Sequence, residues 1–342
     1  MMQDQPIELP WEAPGWFEEA TTWIHAQLAT HGWRTLAPVE LVRLRPWSAL
    51  ARVPTNHGLV YFKAPAPEFR YEAALTQALA RRRPDCTVQL LAVDLARGWL
   101  LSADAGPTLH DASPSTAQLA HWPKLLALCV ELQLALAAHV PELLAMGVFD
   151  RRLALFPQLY NELMAGHENL RVGLEPGLTQ TEYARLRALR PWVADACAQV
   201  AAVGLPETLV HEEVHSSNVL FNGDRFIFID WSEAIVGHPF FLLLVTMRAT
   251  AARLELAEDG PEMIRLRDAY LEPWTAFATR KTLLTALAVA NRLSMATRAL
   301  SWHHGTGSLS QRYKAAYAES VPNWLRDFLN AETPDSLEQK YG

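Results

Sequence analysis

Two hydrophobic periods succeed one another along the chain. Residues 17–31 place apolar side chains at helical spacing, and Gly32 stands where such a helix would end. From Val39 the period shortens. Val39 to Arg45 and Ala49 to Val53 read as strands around the turn Pro46-Trp47-Ser48, and Leu59 to Lys63 reads as a third strand. The pattern predicts an antiparallel meander that ends in a lysine. Pro65 and Pro67 break it, a helix follows from Glu68 to Arg82 with Glu72 in its first half, and Pro84 stops that helix. Val88 to Asp94 and Trp99 to Ser102 give two further strands, joined at Arg97-Gly98.

Beyond the turn Asp104 to Pro107 the helical period takes over. Trp122 to Val140 carries a stripe of Leu125, Leu128, Leu132 and Leu136. Helices are also predicted over 154–166, 179–203, Phe240 to Leu254, Gly260 to Phe277, Lys281 to Ser301 and Leu309 to Asn330. The polar tail from Glu332 is expected to fray. The predicted fold class is α+β with two lobes: a small antiparallel β lobe (residues 1–104) and a larger, mainly helical lobe (residues 105–342).

The helical lobe is interrupted once, at residues 209–234. Two apolar runs there flank Asn222-Gly223-Asp224, a strong hairpin signal. Folding about that turn sets Asn218 opposite Ile229 or Asp230, so an amide and a carboxylate converge. The run Phe226 to Ile229 is continuously apolar and is expected to be buried on both faces. A carboxylate at the mouth of a buried strand needs a partner, because an unpaired buried charge is costly. A cation is the natural one.

Composition narrows the classes. The chain has 342 residues, half of them hydrophobic, and a net charge of −7. A general nucleic-acid binder carries a basic face, so that class loses weight; the run Arg81-Arg82-Arg83 reads as a solvated helix end. Cys86, Cys129 and Cys197 are widely spaced, form no metal knuckle and read as buried apolar side chains in a reducing compartment. The first residues have neither the basic start nor the apolar core of a signal peptide. The most apolar window, Phe240 to Met247, falls short of the roughly 20 residues of a membrane span. A cytoplasmic protein with no membrane and no nucleic-acid partner is expected.

Two chemistries compete for residues 211–233. His211-Glu212-Glu213-Val214-His215 is a literal H-E-x-x-H, the zinc-hydrolase pattern, with Glu233 available as a third ligand. It requires both histidines on one face of a helix, yet Thr208-Leu209-Val210 is β-prone and Ser216-Ser217-Asn218 forms helix poorly. The second reading is phosphoryl transfer, which needs a lysine for phosphate, an acid anchoring that lysine, oxygen ligands for Mg²⁺ and a carboxylate beside the attacking hydroxyl. Lys63, Glu72, Glu213, Asn218 and Asp230 supply these parts in that order along the chain. His211 then reads as a structural histidine fixing the loop.

The residues that carry a resemblance are His211-Glu-Glu-Val-His215-Ser-Ser-Asn218-Val-Leu and Ile229-Asp230-Trp231-Ser-Glu-Ala234, with Gly237-His238-Pro239-Phe240, Tyr61-Phe62-Lys63-Ala64 and Glu72-Ala-Ala-Leu-Thr76 beside them. Over roughly residues 38–305 the chain resembles the aminoglycoside phosphotransferase family, whose fold is protein-kinase-like and whose loop is close to H-G-D-x-H-x-x-N. The resemblance implies ATP and Mg²⁺ as cofactors and a small hydroxyl-bearing substrate. It implies phosphate binding by Lys63 with Glu72, metal binding by Asn218 and Asp230, and orientation of the acceptor by Glu213. Two positions depart from the pattern: Glu212 replaces the glycine and Glu213 the aspartate. The extra methylene of Glu213 displaces its carboxylate, and Glu212 is unfavourable if its position needs a positive φ. Two adjacent carboxylates near phosphates repel them unless one turns to solvent or to a cationic substrate. A catalytically weakened nucleotide-binding relative is therefore the alternative. No glycine-rich phosphate loop is visible; backbone amides near Ser48 are expected in its place, and residues 99–104 are expected to form the hinge that meets adenine.

Overall fold

The strand-forming segments at the start of the chain close into one antiparallel sheet. Strands β1 (Glu40–Arg45), β2 (Ser48–Thr55), β3 (Gly58–Pro65), β4 (Leu90–Asp94) and β5 (Trp99–Ala103) lie in the order β1-β2-β3-β5-β4. This computed structural model describes residues 9–331 apart from Asp224 and Ser308. Helix α1 (Trp16–Thr30) lays Trp16, Ala20, Ile24 and Leu28 against Val53, Val60, Phe62 and Leu101 of the sheet. Side chains alternate across a strand, so β3 buries Val60, Phe62 and Ala64 in that core and turns Tyr61 and Lys63 to the other face. Helix α2 (Tyr71–Arg82) packs Tyr71, Leu75 and Leu79 into a second, larger core.

The larger core belongs mainly to the helices α3 (Trp122–Ala137), α4 (Phe156–Ala165), α5 (Gln180–Ala188), α6 (Arg190–Ala201), α7 (Leu243–Leu254), α8 (Pro261–Leu271), α9 (Arg280–Gly307) and α10 (Ser320–Asn330). Among them run β6 (Phe149–Asp150), β7 (Thr208–His211), β8 (Val219–Phe221), β9 (Phe226–Phe228) and β10 (Ala234–Gly237). β8 and β9 form the expected hairpin, and β6-β10-β7 form a small sheet beside it. β9 is buried along its length, as its apolar run requires. The segment after β5 is tied to the hairpin by a bridge between Thr108 and Leu220 and by the Phe221 N–H donating to the Pro107 carbonyl at 2.9 Å.

Several helices differ from the expected ones for identifiable reasons. The span 179–203 divides at Leu189, where Pro191 opens a new helix in its first turn. The span from Gly260 ends its α-helix at Leu271 and continues as a 3₁₀ turn, Glu272–Ala276, because Pro273 has no N–H to donate. The span from Leu309 is a short turn, Gln311–Ala316, followed by α10. α9 extends to Gly307, beyond the expected Ser301. β6 and β10 are too short for a period to register. Asp224 of the hairpin turn and the tail from Glu332 lie outside the described residues.

The longest apolar stretch is not Phe240 to Met247. Leu119–Ala137, 19 residues, is long and apolar enough by composition to cross a membrane. Its apolar side chains Trp122, Leu125, Leu126, Val130 and Leu136 are nonetheless buried in the larger core, and the buried Gln133 donates to the Pro239 carbonyl at 3.0 Å. These are the properties of a core helix. All three cysteines are buried and free.

Candidate functional site

Two clusters of charge meet where the hairpin faces the sheet. The first is built on Lys63. Its ammonium stands 2.6 Å from Glu72 Oε1 and 2.7 Å from Asp230 Oδ1. Glu72, in the first turn of α2, is buried, and the same Oε1 accepts the Trp231 N–H at 3.0 Å. Asp230 follows β9 with φ +65°, a left-handed conformation uncommon outside glycine, and opens a 3₁₀ turn over Trp231–Glu233. Its Oδ1 also accepts the Ser232 hydroxyl at 2.9 Å. Burial works against the Lys63 ammonium, but Asp230 and Glu72 hold its pKa above the ordinary value. Burial likewise opposes the Asp230 carboxylate, and Lys63 overrides it and holds the group well below the usual range. Burial raises Glu72, with Lys63 opposing.

The hairpin register brings the amide to this cluster. Val219 pairs with Phe228, and the Ile229 N–H donates to the Asn218 carbonyl at 3.0 Å, so Asn218 lies opposite Ile229 and next to Asp230, as expected. The Asn218 side-chain N–H donates to the Glu213 carbonyl at 3.1 Å, which turns the amide's nitrogen to the loop and reserves its oxygen. His211 ends β7. Its Nδ1 accepts the Glu213 N–H at 3.2 Å, so Nε2 carries the proton and donates to the Ile229 carbonyl at 2.9 Å. Burial lowers its pKa to about 4, which keeps the imidazole neutral near pH 7.

These bonds dispose of the zinc reading. His211 sits on a strand, not a helix, and both its ring nitrogens are engaged with backbone. Among the described residues, no group of three or more His, Cys, Asp or Glu side chains is placed to hold a metal ion.

The second cluster is built on Arg298 of α9, a residue the sequence did not single out. One guanidinium nitrogen stands 2.6 Å from Glu213 Oε1 and 3.1 Å from Glu233 Oε2, and the other 3.5 Å from Glu212 Oε2. Glu212 is fully buried. It accepts the Thr297 hydroxyl at 2.5 Å on one oxygen and the Ser301 hydroxyl at 2.6 Å on the other. Its φ is not positive, so replacing glycine there costs no backbone strain. Its carboxylate turns neither to solvent nor towards a cationic substrate but inward onto α9. Burial works against the Arg298 charge, and the three carboxylates outweigh it, Glu233 first. Burial raises Glu233 to about 8, with Arg298 opposing and Glu213 reinforcing. A signal for this cluster was present in the sequence. Ser294, Thr297, Arg298 and Ser301 follow i, i+3, i+4, i+7 spacing along a helix that is otherwise apolar there.

Other expected site elements are placed as follows. Ser48 is buried at the start of β2, paired with Pro65, while the neighbouring Trp47 packs its ring on Trp302 and Tyr317 at centroid separations of 6.0 and 5.3 Å. The N–H groups of Ala103 and Asp104 are engaged by the carbonyls of Gln89 and Leu59, both at 2.9 Å. His215 is half-buried, and its carbonyl accepts the Asn218 N–H at 2.9 Å. A cavity of about 800 Å³ lies along β4, lined by Gln77, Arg81, Asp104 and Arg225; it meets the expected hinge at Asp104 but not Lys63, Glu72, Glu213, Asn218 or Asp230.

Residues 17–281 match the model of the phosphotransferase enzyme family, and the chain belongs to that family. No curated protein matches the sequence significantly. Solved structures share the fold. A type I macrolide 2'-phosphotransferase aligns at 17% identity over 89% of this chain and 97% of its own, with a TM-score of 0.57. The choline kinase LicA from Streptococcus pneumoniae aligns at 13% identity over 90% and 99%, with a TM-score of 0.57. An ethanolamine kinase from Plasmodium vivax aligns at 11% identity over 97% and 96%, with a TM-score of 0.58. The fold is thus the α+β, two-lobed, kinase-like fold expected from the sequence.

Proposed function

We propose that the chain is an ATP- and Mg²⁺-dependent phosphotransferase whose acceptor is a hydroxyl of a small molecule. The observation that carries this reading is the Lys63 ammonium held between Glu72 and Asp230, with Asn218 on the facing strand. A lysine fixed in this way presents a single charge to phosphate oxygens. The nucleotide would lie between a sheet lobe, residues 1–104, and a helical lobe, residues 105–342.

The donor set fits a hard divalent cation. The Asn218 amide oxygen and the Asp230 carboxylate are both oxygen ligands from facing hairpin ends, and Mg²⁺ takes a few such groups while phosphate and water complete its shell. When bound, the ion would neutralise charge on the transferring phosphoryl group. Glu213 would orient the acceptor hydroxyl and receive its proton. As the bond from acceptor oxygen to phosphorus forms, the bond from phosphorus to the leaving diphosphate oxygen breaks. His211, neutral and bonded to both Glu213 and Ile229, would brace the loop without exchanging protons.

Macrolide, choline and ethanolamine, in the names of the similar structures, are alcohols of unlike size and charge, so the reading stops at a hydroxyl-bearing small molecule. Three buried, free cysteines and a net charge of −7 support a cytoplasmic enzyme without a nucleic-acid partner. A second reading, a nucleotide-binding relative that transfers poorly, draws on one observation: Glu213 is already engaged by Arg298. The test is a panel of hydroxyl compounds supplied with ATP and Mg²⁺, with ADP release measured. At least one compound should stimulate release, and Asp230→Asn should abolish it; ATP consumption unchanged in that variant would overturn the mechanism.

A further inference from the structure

The two departures from the family pattern, Glu212 and Glu213, stand next to each other, and one residue of α9 contacts both. We propose that Arg298, locked in place through Glu212, is the positioning residue that makes a glutamate serve at position 213. The inference rests on the assignment of Glu213 as the acceptor-orienting carboxylate and explains how a longer side chain can fill that role.

A glutamate has one more rotatable bond than an aspartate and therefore more conformations to lose before it can act. A tether removes that freedom. Arg298 provides one at 2.6 Å to Oε1, and the Glu213 side chain keeps 31% of its surface exposed to meet an acceptor. The tether must itself be fixed. The Arg298 side chain is only 3% exposed, lies 5.9 Å over the Trp324 ring, and bonds Glu233 and Glu212 as well as Glu213.

Glu212 completes the device. It spans Thr297 and Ser301, one helical turn apart, with Arg298 between them, so a single carboxylate binds the loop to α9 at the level of the guanidinium. Glycine at 212 would leave both hydroxyls and one arm of the guanidinium without this acceptor. Aspartate at 213 would fall short of the other arm. The glutamates at 212 and 213 thus form one matched set with Arg298.

A merely structural arginine would impair folding or all kinetic constants together. A positioning arginine acts on turnover through Glu213, and a double-mutant cycle separates the two. Arg298→Met alone would strand the buried Glu212 charge, so the background is Arg298→Met with Glu212→Gln, which removes both charges together. In that background kcat should fall by roughly 50-fold with the nucleotide KM within about threefold. Glu213→Gln should cost on the order of 1,000-fold in the native chain and only about 20-fold in that background. Should the double variant fail to fold, Arg298→Lys serves for the same cycle, because a lysine keeps the charge but cannot bridge two carboxylates through a planar fork. Costs that multiply in full, or a background with native kcat, would overturn the tether. Native turnover in Glu213→Gln itself would instead overturn the catalytic assignment, a result distinguishable from failure of the tether alone.

Discussion

The two charge clusters at the mouth of the hairpin are built on opposite balances. The lysine cluster sets one cation between two carboxylates, Glu72 and Asp230. The arginine cluster sets one cation among three, Glu212, Glu213 and Glu233. On the proposed reading, the charges of the first stand where phosphate and metal would enter. In the second, much of the charge is spent within the protein: Glu212 is satisfied by two hydroxyls, and Glu233, whose pKa burial raises, is paired with Arg298. On that reading the lysine cluster is the part that meets a ligand. The arginine cluster is a scaffold that presents one carboxylate.

The comparison breaks first at Asp230. Asp230→Asn keeps the shape of the side chain but removes the charge that holds Lys63 and would hold the metal. Turnover should fall by about 1,000-fold or more, the scale of losing a preorganised electrostatic group. ADP release under saturating acceptor measures it. A loss below tenfold would mean that the lysine cluster is not the phosphate end of the site.

Glu213→Asp asks whether the arginine cluster is a working scaffold or a decayed site. In a decayed site the shorter acid restores activity. With Arg298 holding Glu213 at 2.6 Å, the shorter acid loses its tether and turnover should fall by some 10- to 100-fold. Single-turnover measurements, which isolate the phosphoryl-transfer step from product release, give the sign directly.

The sequence and the structure agree unevenly across these two clusters, and for a physical reason. Lys63 was legible because β3 is a period-two strand that must turn one face from its core. Asn218 and Asp230 were legible because a two-stranded hairpin with an Asn-Gly turn leaves little choice of register. Local rules also removed the zinc reading, since a β-prone flank put His211 on a strand. Glu212 could not be placed by any local rule. Its partners lie 85 to 89 residues away on α9, and whether it meets solvent or a helix depends on tertiary packing alone. The polar stripe on α9 advertised that something polar would pack there, but not what.

His211 lies between the clusters, bonded to the Glu213 amide on one side and the Ile229 carbonyl on the other, and it gives the comparison a pH axis. Its folded-state pKa, about 4, is below the ordinary value of 6.5 because burial disfavours the imidazolium. The unfolded chain therefore binds the proton more readily. The stabilisation is present in full above pH 6.5 and is lost as pH falls towards 4, by on the order of 3 kcal/mol for this one group. Urea unfolding at intervals from pH 4 to 7 should show this slope in the native chain. His211→Gln, which cannot take the proton, should flatten it by about one proton's worth; an unchanged slope would mean that His211 does not titrate with folding.

The smallest effect concerns the join between the clusters. Tyr71, next to Glu72 on α2, directs its buried hydroxyl to the Ser232 carbonyl at 2.6 Å and the Ala234 carbonyl at 3.1 Å. Those carbonyls flank Glu233, so one phenol ties the helix that anchors Lys63 to the turn that carries both Asp230 and Glu233. Tyr71→Phe keeps the ring and removes only the donor to these two buried carbonyls. The expected loss is about 1–2 kcal/mol of unfolding free energy, the cost of leaving a buried acceptor unpaired. If the clusters are independent, that loss appears in unfolding alone and kcat stays within about threefold. If the phenol couples them, the same variant weakens the tether, and its effect on kcat should vanish once Arg298 and Glu212 are already replaced.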